Sequence, residues 1–179
     1  MKLFELRDWN LILSEEAYGL IPFKKIIDAD KSKDKEQSLK ELLYLWFFID
    51  IKSDYMYLTD EKERSSEIIK DVGLDKNWKV SKNLQEAIEF YDKMSTTVSS
   101  VILKNSLYMA NTISNKTKTL VEQDNLSISD IEKVGKSLNQ MPGIVAALQK
   151  LENSVVKEQA EQSSKIGSQN KAMFEDGLQ

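Results

Sequence analysis

The sequence predicts an all-α protein: a helical bundle of about five or six helices with an irregular N-terminal arm and an extended polar C-terminal tail. Only two prolines and six glycines interrupt 179 residues, a composition that favours helix. Apolar residues also recur at helical spacing in several segments. The length fits one ordinary domain plus an extension. We expect an arm over residues 1–13, a helical domain over 14–156 and a tail over 157–179.

The N-terminal residues 1–13 are predicted as either a short strand or an irregular arm. Their apolar side chains alternate weakly with polar or mixed neighbours, at Trp9, Leu11 and Leu13. Ser14 is expected to cap the first helix, because its hydroxyl can accept a hydrogen bond from a free backbone N–H. Pro22 is expected to disturb that helix.

The segment LKELLYLWFFIDI, residues 39–51, is far more apolar than the rest of the chain. Its stripe at i, i+3, i+4 and i+7 contains Leu39, Leu42, Leu43 and Trp46. Other apolar residues cover the remaining faces, among them Phe47 and Phe48. A helix that is apolar all round must be buried all round, either within its own domain or by a second subunit. The segment is too short to span a bilayer.

The later helices are predicted from residues that typically begin or end a helix. Thr59 is expected to cap a helix over Asp60–Val72, which Gly73 ends as the residue free to adopt φ > 0. Ser81 opens a long helical region that either continues or kinks near residues 95–97. The pattern Ser129-x-x-Glu132 predicts a capping box, and Pro142 predicts a break or a new helix start.

The composition excludes several kinds of chemistry. The chain has neither cysteine nor histidine, which rules out disulfides, Cys-based metal sites and Ser–His or Cys–His catalysis. The net charge of −4 argues against specific nucleic-acid binding. The N-terminus lacks the uninterrupted apolar stretch of a signal peptide. We therefore expect a protein of the cytoplasm, or of a particle assembled there, that does not act at a membrane.

Two acidic clusters are candidate metal or catalytic sites. DADKSKD, from Asp28 to Asp34, resembles the start of a calcium loop, but the positions that need glycine and a bidentate glutamate hold Lys33 and Leu39. Asp50 and Asp54 follow the aromatic helix and could bind a divalent metal, cap backbone groups or form ion pairs. We predict a non-enzyme without catalytic residues, metal or cofactor. A metal-dependent enzyme using Asp50 and Asp54 remains the alternative.

One resemblance extends over residues 23–94. The segments are FKKIIDADKSKDKEQSLKELLYLWFFIDIKSDY, EKERSSEIIKDVGL, the tryptophan at position 78 and LQEAIEFYDKM, with MFED near the C-terminus. Together they resemble a structural protein of large tailed bacteriophages, in particular the small helical proteins that form neck and tail rings below the portal in crAss-like phages.

The resemblance implies a virion protein, assembled in the host cytoplasm, that forms a ring between head and tail. Its partners would be copies of itself and neighbouring portal, neck or tail proteins. The residues predicted to make packing or partner contacts are aromatic or lie near the C-terminus: Trp46, Phe47, Phe48, Tyr55, Tyr57, Trp78, Met173 and Phe174. The alternative function is a small helical adaptor or regulator that binds a host or phage protein.

Overall fold

The computed structural model describes residues 3–123 and 127–175, with side chains described as far as residue 161. The elements in chain order are β1 (Phe4–Arg7), β2 (Asn10–Leu13), α1 (Glu15–Gly19), α2 (Ile21–Ala29), α3 (Glu36–Ile49), α4 (Glu61–Val72), α5 (Lys82–Ser95), α6 (Val98–Val121) and α7 (Ile128–Glu175). Two 3₁₀ turns cover Lys33–Lys35 and Asp54–Tyr57. The fold is mostly helical, as predicted, although the described residues contain seven α-helices and a small sheet.

The chain divides into two compact units. The first contains residues 3–96 together with 159–175, and the second is Thr97–Glu158. The first holds the hairpin β1–β2, the helices α1 to α5 and the last turns of α7. The second consists of α6 and the first two thirds of α7.

The N-terminal residues form a β-hairpin, so the prediction of an irregular arm is wrong and the strand alternative is the correct one. Strands β1 and β2 pair antiparallel, with Phe4 opposite Leu13. Asp8 and Trp9 make the two-residue turn with positive φ at both positions, the conformation that matches the twist of the strands. Phe4, Leu11 and Leu13 are buried in the core of the first unit, and their burial fixes the hairpin.

The first helix boundaries follow the sequence. The Ser14 Oγ accepts a hydrogen bond from the Ala17 N–H at 3.2 Å and caps α1. Leu20 is extended between α1 and α2, and Pro22 lies in the first turn of α2, where a missing N–H costs nothing. The predicted disturbance at Pro22 is therefore confirmed.

Helix α3 lies at the centre of the first unit and contacts α2, α4, α5 and β2. Its six consecutive residues 42–47 are all buried. The sequence did not decide whether the apolar faces of α3 are buried by its own domain or by a second subunit. In the structure they are buried within the chain, by the surrounding helices and by the N-terminal β-hairpin.

The first turn of α3 is capped from a distance by Asp30. Its carboxylate accepts hydrogen bonds from the backbone N–H groups of Ser32 and Ser38, both at 2.7 Å. Burial alone would raise the pKa of Asp30, but the hydrogen bonds from Ser32 and Ser38 lower it to about 2.

We expect Asp30→Ala to lower the free energy of unfolding by about 1 kcal/mol at pH 7, the usual cost of a lost cap. The pKa of Asp30 is lowered by folding from 3.8 to about 2, so its contribution is complete above about pH 4 and is lost as the pH falls towards 2. Urea unfolding of both proteins between pH 7 and about pH 2 measures this difference. A difference that stays constant over this range would contradict the capping role.

The ends of α4 and α5 are close to their predicted positions. Asp60 rather than Thr59 caps α4, and its carboxylate accepts from the N–H groups of Lys62 and Glu63. Gly73 ends α4 with φ 73°, as predicted. Ser81 caps α5 through the Leu84 N–H.

The second unit is an antiparallel helical hairpin. Near the start of α6, the Ser99 hydroxyl and backbone N–H donate to the Glu158 carboxylate, at 2.6 and 3.2 Å. On α7, the less exposed side chains recur at intervals of three and four residues, the spacing of a packed helical pair. They are Val134, Ser137, Met141, Ile144, Leu148, Leu151 and Val155.

Helix α7 differs from the sequence predictions in three ways. Its cap is Ser127, whose Oγ accepts from the Asp130 N–H at 3.2 Å, so the capping box predicted at Ser129 is two residues too late. Pro142 lies inside the helix and does not break it. The backbone remains helical to Glu175 where the sequence predicts an extended tail. Residues 176–179 of that tail lie outside the described part.

Candidate interaction surfaces

Three of the aromatic residues predicted to make contacts lie in the core of the first unit. Phe47 is only 1% exposed and packs its ring against Trp46, Tyr55 and Trp9, with centroids 5.0–5.2 Å apart. Trp46 and Tyr55 are buried as well. The Tyr55 hydroxyl donates to Asp71 at 2.7 Å. These side chains stabilise the core of the first unit and expose little surface that a partner could contact.

The remaining aromatic candidates lie nearer the surface. Phe48 is half-buried and stacks on Tyr44, with ring centroids 5.6 Å apart. Trp78 packs edge-on against Tyr44 at 4.9 Å, and its indole N–H donates to Glu41 at 3.3 Å. Tyr57 is 67% exposed and is the one aromatic candidate among the described side chains that is open to solvent.

Two further candidates lie near the end of α7. Met173 and Phe174 belong to its helical backbone, and their side chains lie outside the described part of the chain. Their predicted role as contact residues stays a prediction.

Asp50 forms a buried polar contact with Tyr91. The Tyr91 hydroxyl donates to one carboxylate oxygen of Asp50 at 2.5 Å, and the Lys52 N–H donates to the other at 2.9 Å. Both Asp50 and Tyr91 are buried. Asp54, by contrast, is exposed at the start of a 3₁₀ turn. The structure therefore gives Asp50 a capping and bridging role, one of the alternatives that the sequence left open.

The described part of the chain offers neither a cluster of metal ligands nor a helix that could cross a membrane. Within the described part of the chain, no three Asp or Glu side chains come close enough together to hold a metal ion. None of the helices described over 3–123 and 127–175 combines the length and hydropathy needed to cross a membrane.

Burial of three tyrosines predicts a loss of stability at alkaline pH. Burial raises the pKa of Tyr91, Tyr55 and Tyr44 above the ordinary 10.0, and the carboxylates of Asp50 and Asp71 raise the first two further. The unfolded chain therefore releases these protons at lower pH than the folded one, so stability is complete below pH 10 and falls as the pH rises above it.

We expect Tyr91→Phe to make that alkaline decline less steep, because one perturbed phenol is removed. Urea unfolding between about pH 8 and pH 11 measures the slope of the unfolding free energy against pH for both proteins. Equal slopes for the wild type and Tyr91→Phe above pH 10 would contradict this account.

The hairpin unit exposes apolar side chains that the core does not use. On α7 these residues form what we call the α7 stripe: Ile128, Ile131, Leu138, Val145 and Val156. Three of its members, Ile131, Leu138 and Val145, are seven residues apart and 58%, 58% and 51% exposed. They therefore line one side of the helix, beside its less exposed residues.

Helix α6 carries a second exposed apolar surface, which we call the α6 face: Val98, Val101, Ile102, Tyr108 and Met109. These residues point away from Leu103 and Ser100, which are buried. The charged residues of α6 are all lysines, at Lys104, Lys116 and Lys118. Between Lys104 and Lys116 the helix has no charge, an unusual composition for an exposed helix.

These two surfaces could not be recognised as exposed from the sequence alone. Helical spacing does not distinguish an apolar stripe that faces the core from one that faces solvent, because both recur at i, i+3 and i+4. The sequence feature that accompanies them is the absence of charged residues over 105–115 and 137–149.

No family model, no curated protein and no solved structure matches this chain. The resemblance to phage neck and tail proteins therefore gains no support from these comparisons and stays a prediction.

Proposed function

We propose that the protein is a non-catalytic structural subunit that assembles in several copies. The observation that carries this proposal is the second unit, a two-helix hairpin with apolar residues exposed on both helices. Such surfaces mark sites of protein–protein contact, because exposed apolar patches cost solvation free energy and favour association.

More specifically, we propose that these copies form a ring at the neck or tail of a tailed phage, between head and tail. This part rests on the sequence resemblance over residues 23–94. Rings form from head-to-tail contacts that close, which require two different surfaces on each copy. The α7 stripe and the α6 face are two such surfaces, whereas the first unit encloses most of its aromatic residues.

Electron microscopy of the concentrated protein tests the ring. Closed particles of one diameter are the expected result. Open filaments or irregular clusters would contradict the ring but would still support assembly in several copies. A protein that stays monomeric at every concentration would contradict the proposal and favour the adaptor, whose exposed surfaces would instead bind a different protein.

A further inference from the structure

We propose that the α7 stripe of one copy packs on the α6 face of the next copy, so that hairpins lie side by side. This inference rests on the proposed function and specifies its interface. The occupant of each surface is a second copy of this chain. The spacing, the charges and the apolar area of the two surfaces all favour this contact.

The two surfaces have matching spacing. Leu138 and Val145 are seven residues apart on α7, and Ile102 and Met109 are seven residues apart on α6. When neighbouring hairpins point in the same direction, α7 of one runs antiparallel to α6 of the next. Leu138 then lies opposite Met109 and Val145 opposite Ile102, an arrangement in which both apolar pairs meet at the same register.

The charges agree with this register and disfavour pairing of α6 with itself. The charges of α6 are all positive, so two α6 helices packed together would bring lysines close to lysines. In the proposed contact, the register set by Leu138 and Met109 brings Lys116 of α6 opposite Ile131, next to Glu132 in the first turns of α7. The side chains of Lys116 and Glu132 are both exposed.

The apolar area is of the right size. Each surface has five large apolar side chains that are between 46% and 80% exposed. They offer roughly 400–500 Å² of apolar area per copy, which is close to the non-polar part of the ~800 Å² that each partner of a standard interface buries. One type of contact therefore covers the central residues of both surfaces, whereas a contact of α7 with α7 would leave the α6 face in water.

The test uses two full-length variants, Leu138→Glu and Met109→Glu, studied separately and mixed. Each side chain is more than half exposed, so we expect both variants to keep the helical circular dichroism signal of the wild type. Gln140→Glu, an exposed position on the opposite side of α7, is the matched control for an added charge. Ile102→Glu and Val145→Glu form a second, independent pair if one of the first variants unfolds.

Sedimentation velocity gives the masses. We expect each variant alone to bind itself at least roughly thirtyfold more weakly than the wild type, the size of effect that one lost anchor residue causes. A mixture of the two variants should instead form dimers of one copy of each. The intact α7 stripe of the Met109→Glu copy can bind the intact α6 face of the Leu138→Glu copy, and the remaining two surfaces are both blocked.

Other outcomes overturn the inference in distinct ways. Association of Met109→Glu at wild-type strength, with no rescue in the mixture, would show that α7 pairs with α7. A wild-type protein that associates and two variants that associate equally well would place the interface elsewhere and leave the proposed function standing. A wild-type protein that never associates would overturn both.

Discussion

Replacing Phe47 by alanine is expected to lower the free energy of unfolding by about 3–5 kcal/mol, a large part of the 5–15 kcal/mol that stabilises an ordinary domain. The ring is almost completely buried and contacts Trp9, Trp46 and Tyr55, so its removal leaves a cavity that helix α3 cannot fill. Urea unfolding followed by circular dichroism measures the change.

Tyr57→Ala is the matched control, because Tyr57 is an aromatic residue from the same part of the chain that is 67% exposed. We expect this substitution to change stability by no more than about 0.5 kcal/mol. If Phe47→Ala instead kept its stability but weakened association, the aromatic helix would be an interface and the internal packing described above would be wrong.

Replacing Asp50 by alanine is expected to cost about 2–3 kcal/mol, because the Tyr91 hydroxyl is then buried without its charged acceptor. Tyr91→Phe is expected to cost a similar amount, since the buried carboxylate loses its only side-chain donor among the described contacts. Both effects are measured by urea unfolding at pH 7.

The double variant Asp50→Ala with Tyr91→Phe separates this contact from general damage. With neither partner left unpaired, its cost should be well below the sum of the two single costs, by about 1–2 kcal/mol. Strictly additive costs would mean that the two side chains do not depend on each other, which contradicts the 2.5 Å contact between them.

Most helices of the first unit could be predicted because local chemistry fixes their ends. Ser14, Gly73 and Ser81 each satisfy or relax backbone groups in a way that few residue types can, so their positions are readable without tertiary contacts. The aromatic segment likewise had to be buried, whatever covered it.

The N-terminal hairpin could not be predicted with the same certainty. Its turn uses Asp8 and Trp9 with positive φ, where the usual signal would be Asn-Gly or Asp-Gly. Ile12 is apolar yet exposed, which weakens the alternation of the second strand. Packing of Phe4, Leu11 and Leu13 on the core decides the structure, and that contact is not local in sequence.

The start and continuity of α7 show two further limits. Ser127-x-x-Asp130 and Ser129-x-x-Glu132 are overlapping cap patterns, and sequence alone does not choose between them. Pro142 removes one backbone hydrogen bond, but both Pro142 and Leu138, whose carbonyl loses its donor, are exposed, so water can bind that carbonyl. The cost is therefore compatible with a continuous helix.

The sequence alone predicts the contact surfaces only in part. Aromatic composition favoured Trp46, Phe47 and Tyr55 as contact residues, since interfaces and cores share a preference for such side chains. Only the fold shows that these three face inward while aliphatic residues of the hairpin, such as Leu138, face outward.

We propose that the two-helix hairpin of α6 and α7, and not the aromatic helix α3, makes copies of this protein associate. The most direct test is the mass in solution, by light scattering across a concentration series, of the wild type and of Leu138→Glu. We predict that the wild-type mass rises above the 20.6 kDa of one chain as concentration increases, while that of Leu138→Glu stays near it. Equal masses for the two proteins at every concentration would contradict the claim.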